Sequence, residues 1–147
     1  MKHLFTFFSI AIICSFVFFS SCKYKYVDDD LFVGKWELIG KSKFEGLQVE
    51  IKREKGRLKG YISQVPDNEA LQVFLEENDV WLSGFERSSN YTFRITQRKV
   101  GADLFGLYGL ETSAVYRVQF FNDNKFGISK SADPLKSKVY YQRVKEE

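Results

Sequence analysis

The residue types that most enzymes use for nucleophilic or metal chemistry are confined to the start of this chain. Of its 147 residues, one is histidine and two are cysteine, namely His3, Cys14 and Cys22. A Ser-His-Asp or Cys-His mechanism requires a histidine, and none follows residue 22. The same distribution excludes an ordinary zinc site and a disulfide beyond that point. We therefore expect neither an enzyme nor a metal or other cofactor.

Residues 1–21 have the composition of a secretory signal peptide. Lys2 and His3 form a short basic start, residues 4–19 are apolar apart from three hydroxyl side chains, and Ser20 and Ser21 are small. The apolar run is short for a membrane span, which needs roughly 20 residues. An uncleaved membrane anchor is the alternative interpretation.

The end of this segment, Phe19-Ser20-Ser21-Cys22, resembles the lipobox of bacterial lipoproteins, and its phenylalanine-rich form is similar to that of Bacteroidetes. The resemblance implies that Cys22 is acylated, for example with palmitate, and becomes the first residue of the mature protein. Each buried CH₂ of an acyl chain contributes about 0.8 kcal/mol, so several chains anchor firmly. The resemblance also implies a lipid-anchored protein of the cell envelope, in the outer membrane of a Gram-negative bacterium. Ordinary signal-peptidase cleavage, which leaves Cys22 free, is the alternative.

The remainder divides into a short tether and one domain. Residues 22–30 are polar and predict a lipidated cysteine followed by a solvated spacer. Their three consecutive aspartates lack the spacing and the glycine turn of a calcium loop. Residues 31–147 contain most of the chain's 15 phenylalanines and 8 tyrosines, which favours a folded β-rich domain. The interleaved charges and the small net charge of +3 argue against nucleic-acid binding.

Alternating apolar and polar side chains predict an all-β domain. In the first strand, Trp36 and Leu38 share one face and Lys35 and Glu37 the other. Similar short segments separated by turns recur along the chain, and they include 71–75 and 104–108. Single helical turns near 67–71 or 133–138 are an alternative, and 80–86 has apolar residues on both faces. The short turns favour an antiparallel up-and-down β-barrel of about 8–10 strands, since closure removes exposed sheet edges.

The triplet Gly34-Lys35-Trp36 at the head of these strands, with Arg143 in the last strand, resembles the pattern of lipocalin-like (calycin) domains. The resemblance implies a barrel in which Trp36 closes one end and Arg143 packs across its ring. A stacked guanidinium contributes about 0.5 to 2 kcal/mol, depending on burial.

The interior of such a barrel is the default site for a small ligand. Five aromatic residues are candidates for its wall: Tyr91, Phe93, Tyr116, Phe120 and Tyr141. The alternative interpretation is that these side chains simply fill a dry core.

Two arginines in predicted strands could hold an anion, because a buried guanidinium needs a negatively charged partner. Tyr141-x-Arg143 is loosely similar, in reversed order, to the carboxylate-binding side chains of fatty-acid-binding barrels. For Arg143 the alternative is the structural stack on Trp36, and for Arg117 it is an outward, solvated position. The basic residues between 52 and 59 could face anionic lipid headgroups or form a solvated hairpin tip.

Two functions are favoured by the sequence, and an enzyme, which would need a titratable pair with shifted pKa values in a cleft, ranks third. The first is a membrane-anchored lipocalin-like lipoprotein that binds a small apolar or amphipathic ligand. The second is a closed barrel whose loops bind another envelope protein, as an inhibitor or assembly factor. The first predicts an apolar cavity of several hundred Å³, whereas the second predicts a filled core and an exposed apolar or charged patch.

Overall fold

A computed structural model describes residues 25–145, and the predicted signal peptide and Cys22 lie outside that range. The domain is an all-β, antiparallel, up-and-down barrel of eight strands, which confirms the fold class expected from the sequence. The strands are β1 (Gly34–Ile39), β2 (Gln48–Glu54), β3 (Arg57–Gln64), β4 (Val80–Arg87), β5 (Thr92–Arg98), β6 (Ser113–Asn122), β7 (Lys125–Ser129) and β8 (Tyr140–Arg143).

Pairing of the first strand with the last closes the sheet. β1 pairs with both β2 and β8, and Trp36 lies directly opposite Arg143 in the β1–β8 ladder. Because consecutive strands alternate in direction, the connections alternate between two ends of the barrel. The N-terminal end carries residues 26–33 and the tight hairpins after β2, β4 and β6. The loop end carries the four longer connections, residues 40–47, 65–79, 99–112 and 130–139.

Two segments predicted as strands are short helices in the loop-end connections, which brings the strand count down to eight. Helix α1 (Glu69–Gln72) begins after Asn68, whose side-chain oxygen accepts hydrogen bonds from the amides of Ala70 and Leu71. Side chains four residues apart share a helix face, so Leu71 and Leu75 are both buried while Val73 between them is 77% exposed. Helix α2 (Ala102–Leu107) replaces the strand expected at 104–108. The alternative helical turns are found, at α1 and in a 3₁₀ turn at Pro134–Lys136.

Irregular pairing explains the apolar residues on both faces of β4. In the β3–β4 ladder Gly60 pairs with Leu82 and Tyr61 with Val80, so Trp81 is an extra residue between them. A bulge of this kind turns two consecutive side chains toward the same side. Trp81 and Leu82 are accordingly both buried, at 1% and 0% exposure.

Candidate functional site

A phenylalanine that precedes the first strand fills the N-terminal end of the barrel. Phe32 ends a 3₁₀ turn (Asp29–Phe32) and is fully buried. Its ring centroid lies 4.7 to 5.3 Å from those of four other phenylalanines, Phe85, Phe93, Phe120 and Phe126. These are contact distances for edge-to-face and tilted aromatic pairs, so the five rings are closely packed in this half of the interior.

Trp36 and Arg143, the tryptophan and arginine of the calycin-like pattern, contact each other next to this cluster. Nε1 of the buried Trp36 donates a hydrogen bond to the carbonyl of Phe32 at 2.7 Å. Cζ of Arg143 lies 4.2 Å from the centroid of the Trp36 ring. The Arg143 guanidinium also donates to the carbonyls of Val33 and Leu31, at 2.9 and 2.7 Å. Arg143 thus joins the end of the last strand to the segment before the first.

The same contact explains the glycine of the triplet. Gly34 has φ +132°, and a Cβ built there would lie 2.5 Å from Nη1 of Arg143. The guanidinium therefore occupies the space that any other residue would need.

Residues assigned to the tether from the sequence also contact the barrel. The amide of Val27 donates to the carbonyl of Asn90 at 2.8 Å. The guanidinium of Arg87 bonds the carbonyl of Val27 and the carboxylate of Asp29, and it lies 4.6 Å from the Phe93 ring centroid. Arg53, in the basic hairpin, pairs with Asp30 at 2.6 Å. The chain is therefore held against the N-terminal end from Val27 onward.

A buried polar chain occupies the middle of the interior. Nε1 of Trp81 donates to the hydroxyl of Tyr141 at 3.0 Å, and that hydroxyl donates to Oε1 of Gln97 at 3.3 Å. Burial raises the pKa of the Tyr141 hydroxyl far above its usual value, so it remains a donor at neutral pH. These two bonds give partners to Trp81 Nε1, the Tyr141 hydroxyl and Gln97 Oε1, as burial of polar atoms requires.

The structure does not bring the six predicted ligand residues together. Phe93 and Phe120 belong to the phenylalanine cluster, and Tyr141 lies in the polar chain. Tyr116 lies on the interior face near the loop end and is partly exposed. Two residues lie elsewhere: Tyr91 precedes β5 at the opposite end, and Arg117 is exposed on the outer face. Arg117 thus takes the outward position that the sequence had left as an alternative.

Six of the twelve large apolar side chains that are exposed in the described part of the chain lie on two neighbouring loop-end connections, residues 65–79 and 99–112. Cδ1 of Phe74 lies 3.8 Å from the position a Cβ would take at Gly101, so the two connections touch. Leu107 is 83% exposed and Tyr108 is 74% exposed. We call this set the apolar loop surface; it comprises Val73, Phe74, Leu104, Leu107, Tyr108 and Leu110.

The two connections that carry the apolar loop surface are rich in acidic residues. Residues 65–79 contain five acidic and no basic side chains, and residues 99–112 contain two acidic side chains and one lysine. Arg98 pairs with Asp79 and Asp103, and Lys99 with Glu111. The other four carboxylates have no ion pair with any residue between 25 and 145: Asp67, Glu69, Glu76 and Glu77.

The other two loop-end connections have the opposite charge. Residues 40–47 and 130–139 together contain five lysines and two acidic residues. These two connections are neighbours because β8 pairs with β1. The two acidic connections, 65–79 and 99–112, are neighbours in the same way because β4 pairs with β5. The loop end is therefore divided into an acidic, apolar half and a basic half.

Sequence patterns missed three of these features: the Phe32 plug, the apolar loop surface and the charge division. The charge division could have been found from the sequence, since residues 65–79 contain acidic residues and no basic ones. The described part of the chain has no cluster of three or more potential metal ligands. Among the helices in residues 25–145, none has the length and hydropathy needed to cross a bilayer.

In comparisons with known proteins, no protein-family model, curated protein or solved structure matches this chain.

Proposed function

We propose that this chain is a lipid-anchored protein of the cell envelope whose barrel presents a docking surface for another protein. The observation that carries the proposal is the apolar loop surface. Six large side chains, 47 to 83% exposed, gather on two touching connections of one barrel end. Contiguous exposed apolar groups with a polar rim are characteristic of protein interaction sites.

The packing of the interior favours this function over that of a small-molecule carrier. Phe32 and its four neighbouring rings fill the N-terminal half, and the Trp81–Tyr141–Gln97 chain crosses the middle. A ligand would have to displace side chains that are already in contact, and close-packed interiors resist such displacement.

The position of the anchor suits a docking role. Cys22, if acylated, lies five residues before Val27, whose amide is bonded to the barrel. Five extended residues reach at most about 18 Å, so the N-terminal end would stay close to the bilayer. The apolar loop surface lies at the other end and would face away from the membrane.

The chemistry of the surface specifies the kind of partner. The connections that carry the apolar side chains also carry four carboxylates without an ion pair to any described residue, at Asp67, Glu69, Glu76 and Glu77. A complementary protein surface would be apolar at its centre and carry lysine or arginine at its rim, which aligns opposite potentials and accelerates association.

Site-specific photo-crosslinking in the source cells tests the proposal. A photoreactive residue at Leu107 is expected to give one discrete protein adduct, whereas the same residue at Val115, 56% exposed on the outer wall, should not. The purified adduct partner should then bind the wild type and lose at least about tenfold affinity for Leu107→Glu. Equal adducts at both positions would contradict docking through this surface.

Two further measurements address the other parts of the proposal. Cys22→Ser should abolish acyl labelling and release the protein from membranes; unchanged retention would contradict the lipid anchor.

Native mass spectrometry of protein from its source cells should find no retained small molecule. A molecule lost only on denaturation would favour the carrier function instead.

A further inference from the structure

Two lysine ammonium groups each lie within 6.0 Å of the centroid of one tyrosine ring in the basic half of the loop end. Nζ of Lys41 lies 6.0 Å, and Nζ of Lys130 5.6 Å, from the ring centroid of Tyr116. Lys41 also lies 5.2 Å from the ring centroid of Phe44. Within residues 25–145 no carboxylate is close enough to form an ion pair with either lysine. The two cations thus lie against aromatic rings, and neither forms an ion pair with a residue that the structure describes.

The surroundings of Lys41 disfavour its charged form. Its side chain is half-buried, and burial lowers the pKa of its ammonium group, with a further lowering from the charge of Lys130. A partly desolvated cation beside a like charge is costly unless an anion compensates it. Binding of an anion here would relieve both the burial cost and the repulsion.

The backbone beside Lys41 is closely packed. Gly40 has φ +87°, and a Cβ at that position would lie 1.9 Å from the carbonyl oxygen of Lys138. The connections 40–47 and 130–139 are therefore pressed together beside Lys41. The amide of Phe44 bonds the carbonyl of Lys41 at 2.8 Å, which closes the turn between them. A preorganised site of this kind avoids much of the ordering cost of binding.

We propose that Lys41 and Lys130, set around Tyr116, form a binding site for a phosphate-class dianion. Two ammonium groups match the double charge of a phosphate monoester, and lysine binds phosphate as a point charge. The other lysines of these connections add a positive field that concentrates anions. A concavity of about 310 Å³ lies beside Lys41, and its other lining residues are Leu38, Ile39, Gly40, Ser42 and Glu45. It has room for a small group attached to the phosphate, and the carboxylate of Glu45 favours a group that carries no further negative charge. This site is independent of the apolar loop surface.

Isothermal titration calorimetry on the full-length protein in a non-ionic detergent tests the site. The probes are inorganic phosphate and dihexanoyl phosphatidic acid, which carries the same phosphomonoester on a lipid. Sodium chloride of matched ionic strength controls for screening. The test variant is Lys41→Gln with Lys130→Gln. The matched control is Lys43→Gln with Lys136→Gln, which removes two exposed lysines from the same two connections.

We expect saturable binding of at least one probe, weakened at least about tenfold in the test variant and unchanged in the control. Equal affinity for both probes would identify free phosphate as sufficient, and much tighter binding of the lipid would identify a headgroup. Absence of saturable binding to either probe overturns the proposal. An equal loss in both double variants also overturns it, because the binding would then be diffuse attraction.

Discussion

The two ends of the barrel differ in how far their polar and apolar groups are satisfied. At the N-terminal end Arg143, Arg87 and Arg53 each bond backbone carbonyls or carboxylates, and Phe32 is surrounded by rings. At the loop end the carboxylates of residues 67–77 and the ammonium of Lys41 have no ion pairs among the described residues. Large apolar side chains are exposed there as well.

This difference assigns separate tasks to the two ends. Groups that already have partners inside the fold contribute to stability, and substituting them should lower the free energy of unfolding. Groups without partners can acquire them from another molecule, so substituting them should change binding and leave stability nearly unchanged. The following substitutions test that division.

The largest effect is expected from the plug of the N-terminal end. Phe32→Ala should lower the free energy of unfolding by about 3 to 5 kcal/mol, because it leaves a cavity among four rings. Leu107→Ala, at the loop end, should change it by less than about 0.5 kcal/mol. Urea denaturation measures both values.

A second variant keeps this comparison usable if Phe32→Ala fails to fold. Phe32→Leu retains most of the volume and should cost less than about 1.5 kcal/mol. Similar losses for Phe32 and Leu107 variants would contradict the assignment of separate tasks.

The next effect concerns the arginine across the tryptophan. Arg143→Ala removes the stack on Trp36 and three charged hydrogen bonds to carbonyls, and it should cost about 2 kcal/mol. Arg143→Lys should recover less than half of that loss, since an ammonium cannot stack flat and reach these carbonyls. Arg117→Ala is the control, with a change under about 0.5 kcal/mol. Full recovery by lysine would show that charge alone matters.

The features that could be predicted from the sequence are those that depend on the local alternation of apolar and polar side chains. Trp36 and Leu38 alternate with charged residues, and the structure places both inside the barrel. The strand pattern misled where a helix also suits the residues: Leu71, Val73 and Leu75 fit an alternation, but the Asn68 cap favoured a helical turn. Tertiary packing of Leu71 and Leu75 then decided the outcome.

Features that depend on contacts distant in sequence could not be predicted. The fit of Phe32 among rings from β4 to β7 requires the closed barrel, and so does the approach of both Lys41 and Lys130 to Tyr116. The bulge at Trp81 is another such case, because the β3–β4 register decides which side chains point inward. In each case the partner belongs to a different strand or connection, well separated along the chain.

A smaller effect is expected where Arg87 holds the residues before the barrel. Arg87→Ala removes the bonds to Val27 and Asp29 and should cost about 1 kcal/mol, as partly exposed pairs do. The clearer readout is local: the amide of Val27 should exchange its hydrogen faster, because its bond to Asn90 depends on this contact. Arg94→Ala, an exposed arginine on the outer face of β5, should leave that exchange unchanged. If Val27 exchange were unaffected in Arg87→Ala, the segment would be held by other contacts.

The smallest expected effect is a gain in stability at the loop end, and its sign follows from the lowered pKa of Lys41. Below that folded pKa, both states carry the proton and the folded state bears the full cost of a half-buried charge. Between the folded pKa and the unfolded value of about 10.4, the unfolded state binds more protons, so stability rises with pH.

Lys41→Met should therefore be more stable than the wild type near pH 7 in phosphate-free buffer, and the difference should shrink as the pH approaches 10.4. Urea denaturation across this range measures the difference, with Lys43→Met as the exposed control on the same connection. Adding phosphate should reduce the advantage of Lys41→Met at pH 7, because a ligand that binds only the folded wild type stabilises it. A loss of stability in Lys41→Met at pH 7 would mean that Lys41 is held by favourable contacts with Phe44 and Tyr116 and needs no anion.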